Sequence, residues 1–327
     1  LDIPINIFNM PTSLNPQEIY LLERYISLEY FGEMRDAWGE MIQHLERCLD
    51  QFMHNLPLDY RKRPLPEQPD AVWGELVLPN FRRTFQGLCN GYIQISHGDL
   101  GGLGHANGPK VDFKGQMEFW SGWMARSDEN IYGEFLNLAT RNASNICFTE
   151  GAYWNSMDLT SDYHEISRGP LNPPPVWPSY RLVPNIKVAT GSPLLKTGIY
   201  LPDVDNSCAQ FLSINYDEAP EASVFIRMED IFHPVTKLKY SERAIHEKRP
   251  CTWTLVERVS DTGGAVTTPT LLAQKTHRVP AGEPCPETGF YFTPAKPDSR
   301  RYFNQGDLMT NFDSGYGATI WRWDDQQ

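Results

Sequence analysis

Oxygen donors alternate in the run Asp203-Val-Asp205-Asn206-Ser207, the pattern by which short loops wrap a calcium ion. Such a loop also needs Gly at its sixth position to turn and Glu at its twelfth to complete the coordination. Those positions hold Cys208 and Ile214, so the calcium reading fails. The segment HGDLGGLGHANGPK, residues 97–110, has the glycines of a phosphate cradle. It follows a helical pattern rather than a strand and lacks both G-x-G-x-x-G and the P-loop lysine spacing. A mobile surface loop is the better expectation. The eight histidines include no H-E-x-x-H, and His44 and His54 are ten positions apart, too far for one zinc-binding helix face. No G-x-S-x-G elbow occurs. A Cys/His nucleophilic pair could still be assembled from distant residues, but nothing singles one out. No catalytic residue, metal or cofactor is therefore expected.

Two features suit binding better than catalysis. Trp120 and Trp123 lie close together in FWSGWM, as do Trp321 and Trp323 in IWRWDD, and Trp253 heads an apolar run. Core packing is the ordinary reading of such residues. The alternative is an aromatic anchor at an interface, where Trp is enriched. The second feature is charge. Asp203, Asp205, Asp217, Glu218, Glu221, Glu229 and Asp230 fall within one stretch opposed only by Arg227. A solvated loop face would explain them. So would an acidic face that steers a basic protein partner to rapid association, and these seven are the candidate partner-binding residues.

The whole chain has 327 residues, a net charge of −12 and a pI of about 5.1. That balance disfavours a nucleic-acid or anionic-membrane partner. Six cysteines without C-x-x-C spacing are too sparse for a disulfide scaffold, so reduced thiols and a cytoplasmic location are expected. No apolar run approaches the length of a membrane span, and no signal peptide is visible.

The elements that must position these residues fall into two halves. Residues 15–56 have helical apolar spacing, as one helix or two broken near Gly32. Asn15 is the candidate N-cap, Pro16 suits the first turn, and Glu18 completes a capping-box pattern. Further helices are expected after Asn80, at about 113–125, and at 128–142 with Ser127 as N-cap. Pro170, Pro173, Pro174, Pro175 and Pro178 form a stiff connector. Beyond it come short β-type runs: YRLV, GIYL, AQFLSI, SVFIRM, TWTLVERV and GFYF. Helical spacing returns only near Tyr240–His246. The expected fold is α+β: a helical domain over 1–160, a Pro-rich connector over 161–180, and a β-rich domain over 181–327.

That second half repeats itself. Val188–Leu201 reads VATGSPLLKTGIYL and Val279–Phe292 reads VPAGEPCPETGFYF, ninety-one positions on. Val, Gly, Pro, Thr, Gly and Tyr recur at the same offsets. Thr-Gly before an alternating run is a turn into a strand. The shared residues include no acid, base or metal ligand, so the phrase reads as scaffold for two related units.

The stretch from Val279 to the C-terminus, with KTGIYLPDVDNSCAQFL and CTWTLVERV, resembles the C-terminal region of bacterial polymorphic-toxin immunity proteins encoded beside type VI secretion effectors. The nearest groups are the immunity families numbered seventy-one and seventy-two. The resemblance covers about 180–327; Thr310 departs from the Pro expected after Met309. It implies a non-catalytic protein that binds a cognate effector toxin domain, a basic one on the charge argument, and blocks its active site. The alternatives are an enzyme that reverses a toxin's modification and an adaptor of the secretion apparatus.

Overall fold

The computed structural model describes residues 11–259, 278–293, 299–311 and 319–324. The chain is α+β, with helices first and antiparallel strands from residue 179 onward. It divides into two compact units, Leu1–Gly264 and Ala265–Gln327.

In the first unit, α1 spans Pro16–Tyr25 and α2 spans Leu28–His54. Asn15 caps α1, its side chain accepting from the N–H groups of Gln17 and Glu18. The break falls at Ile26–Ser27, and Ser27 caps α2 by accepting from the Tyr30 N–H. Gly32 therefore lies inside α2. Gly32 and Gly39 are needed there for close approach, because the rings of Tyr92 and Phe85 would meet an added Cβ at 3.1 and 2.9 Å. Those rings belong to α3, Leu78–Ser96, which continues a π-helical stretch over Asp70–Val77. Two more helices follow, α4 over Asn107–Gln116 and α5 over Arg126–Glu150, then the short α6, Glu165–Arg168. Residues 117–125 are not helical, and α5 begins before Ser127, with Ala125 at its cap position. Among the described residues no helix is long and apolar enough to cross a membrane.

The first sheet joins β1 (Ser179–Ala189), β2 (Gly198–Pro202), β3 (Gln210–Leu212) and β6 (Thr252–Val259) in the order β1-β6-β2-β3. Its strands alternate between two cores, as the two-residue period of a strand dictates. Ile199, Leu201, Phe211 and Val256 pack into the helical core around Trp38, Phe31 and Trp154. Tyr200, Leu212, Trp253 and Leu255 form a separate cluster on the opposite face. The helices and the first sheet thus share one core. Between β3 and β6 the chain leaves the sheet to make a two-stranded ribbon, β4 (Ala222–Phe232) and β5 (Lys239–Arg249). Tyr240–His246, with its helical spacing, lies in the middle of β5: pairing with β4 along ten register positions overrides the local pattern.

The second unit carries β7 (Arg278–Pro280), β8 (Gly289–Phe292), β9 (Arg301–Phe303) and β10 (Ile320–Trp323) in the order β7-β10-β8-β9. It is the first sheet again, bond for bond. Gly198 pairs with Leu212 as Gly289 pairs with Phe303, and Tyr200 with Gln210 as Tyr291 with Arg301. Tyr200 Oη donates to the Lys196 carbonyl at 2.6 Å, and Tyr291 Oη to the Glu287 carbonyl at 2.9 Å. Val279, Cys285, Tyr291, Phe303, Met309 and Trp321 form a core at the positions of Val188, Leu194, Tyr200, Leu212, Ala219 and Trp253.

Candidate functional site

The polar cluster with the most chemical promise is one the sequence reading passed over. His44 and Cys48 are a turn apart on α2, and Asp128 opens α5 beside them. Cys48 Sγ lies 3.5 Å and an Asp128 carboxylate oxygen 3.9 Å from His44 Nε2. The three donors lie within 4.8 Å of one another, the spacing of a small metal-ligand set. The same Nε2, however, is 2.9 Å from the Asp128 backbone carbonyl. A carbonyl only accepts, so Nε2 carries the proton. A protonated nitrogen neither ligates a metal nor takes a proton from the thiol. Burial also pushes the Cys48 thiol up, with the Asp128 charge adding to it. The cluster ties α2 to the start of α5. The His-x-x-x-Cys spacing on one helix face was the signal for it.

The Gly-rich segment is not a mobile loop. Leu100–Ala106 forms a 3-10 helix with Leu103 and Ala106 fully buried. A Cβ on Gly102 would lie 2.5 Å from the Gly91 carbonyl oxygen, and one on Gly91 2.6 Å from the Gly102 carbonyl oxygen. The glycines serve backbone-to-backbone packing against α3, with no room left for a phosphate. Of the tryptophans, Trp253 and Trp321 are core, Trp123 is buried, and Trp120 is half exposed at 49%.

The β4–β5 ribbon is the element least accounted for by packing. Its root is anchored. Ala222 and Val224 are buried, Ser223 Oγ donates to Asn155, and the Phe225 N–H donates to the Asn206 carbonyl. Phe225 and His246 meet edge to face across the ribbon, and burial lowers the His246 pKa. A bulge between Phe225 and Arg227 then interrupts the pairing and adds local twist. Beyond it Met228, Phe232, Leu238 and Tyr240 are each at least half exposed, and Val235 at the tip is 81% exposed. The tip is an ordered turn: His233 N–H donates to the Leu238 carbonyl and His233 Nδ1 accepts from the Thr236 N–H. A free two-stranded ribbon is marginally stable in water. This one keeps large apolar side chains exposed, with none of the described residues covering them.

The seven candidate carboxylates divide at this point. Glu229 and Asp230 lie on β4 and are matched across the ribbon: Glu229 by Arg243 at 2.5 Å and by Arg227, Asp230 by Lys239 at 2.7 Å. Hydrogen bonding to Arg243 holds the Glu229 carboxyl below its ordinary value. Over 222–249 there are six Lys and Arg against four carboxylates, so the ribbon itself is net +2. The other five lie in the connections at its root. Asp203 accepts from the Thr252 N–H at 2.7 Å, Asp205 is half-buried, and Asp217, Glu218 and Glu221 are exposed. Asp203 and Glu221 both act on the buried Cys251 thiol, whose pKa is pushed up to about 11, chiefly by burial. The structure thus offers a carboxylate collar around the base of a slightly basic, apolar-tipped arm.

The sequence held one further signal. Trp253 Nε1 donates to the Pro220 carbonyl at 2.8 Å, and Trp321 Nε1 to the Thr310 carbonyl at 2.7 Å. The two connections begin at equivalent carbonyls, yet Pro220 and Cys251 are 31 positions apart where Thr310 and Thr319 are 9 apart. The ribbon is therefore a 22-residue excess of the first copy over the second. A scan against protein-family models, a search of curated proteins and a search of solved structures each find no match to this chain.

Proposed function

We propose that this chain is a non-catalytic binding protein that neutralises a secreted antibacterial toxin, and that the β4–β5 ribbon with its carboxylate collar is where the toxin docks. The observation that carries this reading is the ribbon: an ordered arm, additional to a duplicated scaffold, with five large apolar side chains in solvent. Apolar anchors ringed by charge are the composition of a protein interface rather than of a substrate pocket. Asp203, Asp217, Glu218 and Glu221 supply the negative field that would steer a basic toxin toward the arm. The resemblance of 180–327 to immunity proteins supports the same reading, and cytoplasmic action against an incoming toxin belongs to it.

The test is co-expression of the chain with its genomic neighbour, comparing the intact protein with a variant in which 222–249 is replaced by a short loop. The second copy closes the equivalent span with 9 positions, so the scaffold tolerates a short connection. The intact chain should protect the cell and co-purify one-to-one with the toxin, and the shortened chain should do neither. A harmless neighbour, or a shortened chain that protects as well as the intact one, would sink the proposal.

A further inference from the structure

A groove between α4 and α5 carries charge of the opposite sign to the chain as a whole. Lys110 and Lys114 stand one turn apart on α4, and Arg141 lines the same groove from α5. Like charges at that helical spacing repel. None of the three is paired with a carboxylate among the described residues. Arg141 Nε is buried without an acceptor, against Gly169, where an added Cβ would lie 3.0 Å away. The hydroxyls nearby turn elsewhere, Thr140 Oγ1 donating to the Leu136 carbonyl and Ser144 Oγ to the Thr140 carbonyl, and neither accepts from Arg141 Nε. Three unopposed cations in one groove are not the background of a protein whose net charge is −12. The groove is open to solvent and has a volume of about 530 Å³, and Phe113 and the 88%-exposed Ile166 give it apolar walls.

We infer that this groove binds a small organic phosphate, an anion with a planar or apolar body in the size range of a nucleotide. The phosphate oxygens relieve the Lys110–Lys114 repulsion and take the planar fork of Arg141, a geometry that guanidinium groups match in two bonds at once. Phe113 and Ile166 then cover the body of the ligand, which gives Ile166 the contact it lacks. The volume lies within the ordinary range for small-molecule sites. The site is separate from the ribbon in residues and chemistry, so its test does not depend on the toxin-binding proposal.

The test is calorimetric titration of the full chain with ADP, with inorganic phosphate and sodium chloride at matched ionic strength as comparisons. ADP should bind saturably, and inorganic phosphate at least about tenfold more weakly, since it leaves the apolar walls bare. Lys114→Glu, at an exposed position, should weaken ADP at least about tenfold, the equivalent of one charge-assisted hydrogen bond. Lys114→Ala gives a second variant with the same expectation, and circular dichroism checks that both are folded. The inference is overturned by absence of saturable ADP binding, by an equal response to sodium chloride, by phosphate binding as tight as ADP, or by folded Lys114 variants that bind ADP unchanged.

Discussion

Trp253 and Trp321 hold the same place in two copies of one sheet, each buried and each donating its indole N–H to the carbonyl that opens the connection to its own strand. Around each, the bonds repeat: Gly191 N–H to the Ala219 carbonyl as Gly282 N–H to the Met309 carbonyl, and Thr190 N–H to the Cys251 carbonyl as Ala281 N–H to the Thr319 carbonyl. The indole closes the unit from inside. Phe at either position would keep most of the apolar volume but remove the indole donor, leaving the Pro220 carbonyl only the Thr190 hydroxyl at 3.1 Å. Trp253→Phe and Trp321→Phe should therefore each cost about 2 kcal/mol, read as a lowered urea midpoint. Equal stability to the parent would show that water takes over the carbonyl.

Gly191 and Gly282 occupy equivalent turns with φ of +79° and +90°. No atom blocks a side chain at Gly282, and only Glu218 comes within 3.9 Å at Gly191. Space is thus not what requires glycine. Left-handed backbone costs other residues about 1–2 kcal/mol, so Gly191→Ala and Gly282→Ala should each lose roughly that much stability. Thermal denaturation of the two variants measures it, and an unchanged midpoint would place the requirement elsewhere.

Glu18 gives the fold a pH dependence. Its carboxylate is buried and accepts from the Ala209 N–H at 2.6 Å, yet burial outweighs that bond and raises its pKa from 4.5 to about 7. The folded state therefore keeps a proton that the unfolded chain has lost. This contribution is complete below pH 4.5 and declines as pH rises to about 7, by on the order of 3 kcal/mol in all. Glu18→Gln should flatten the stability profile across that window. A variant with the parent's slope would assign the titration to another group.

Met228, Phe232, Leu238 and Tyr240 contribute little to folding if they serve an interface, since they are already in solvent. Changing all four to Ser should leave the melting temperature within a degree or two and weaken toxin binding by at least about 100-fold, equivalent to about 2.8 kcal/mol from a hot spot. Substituting Asp217, Glu218 and Glu221 by Lys should instead slow association and flatten its salt dependence while sparing the dissociation rate. Isothermal titration and surface-binding kinetics separate the two effects. A full-strength complex from the four-Ser variant would remove the ribbon from the interface.

The helices and most strands were legible because their patterns are local: the Asn15-Pro16 start, the apolar spacing of α2, and the Thr-Gly turns into β2 and β8. The misses follow from contacts distant in sequence. Glu18 fits a capping box, but its side chain goes to Ala209, 191 positions away. The sequence left one helix or a break near Gly32 open, whereas the break falls at Ile26–Ser27 and Gly32 seats the Tyr92 ring. Tyr240–His246 has helical spacing and pairs as a strand. The acidic run read as one face, but Asp230 and Glu229 meet Lys239 and Arg243, nine and fourteen positions further on in β5, only once the ribbon folds back.

One scaffold written twice, with a long connection in one copy and a short one in the other, has a use in protein engineering. The span between Thr310 and Thr319 begins and ends on the same backbone bonds as the span that grows into the ribbon. It is a matched socket. A ribbon transplanted there would start and end on matching backbone carbonyls, and a chain with two arms could grip two targets, or one target at two places, with the gain in avidity set by their separation.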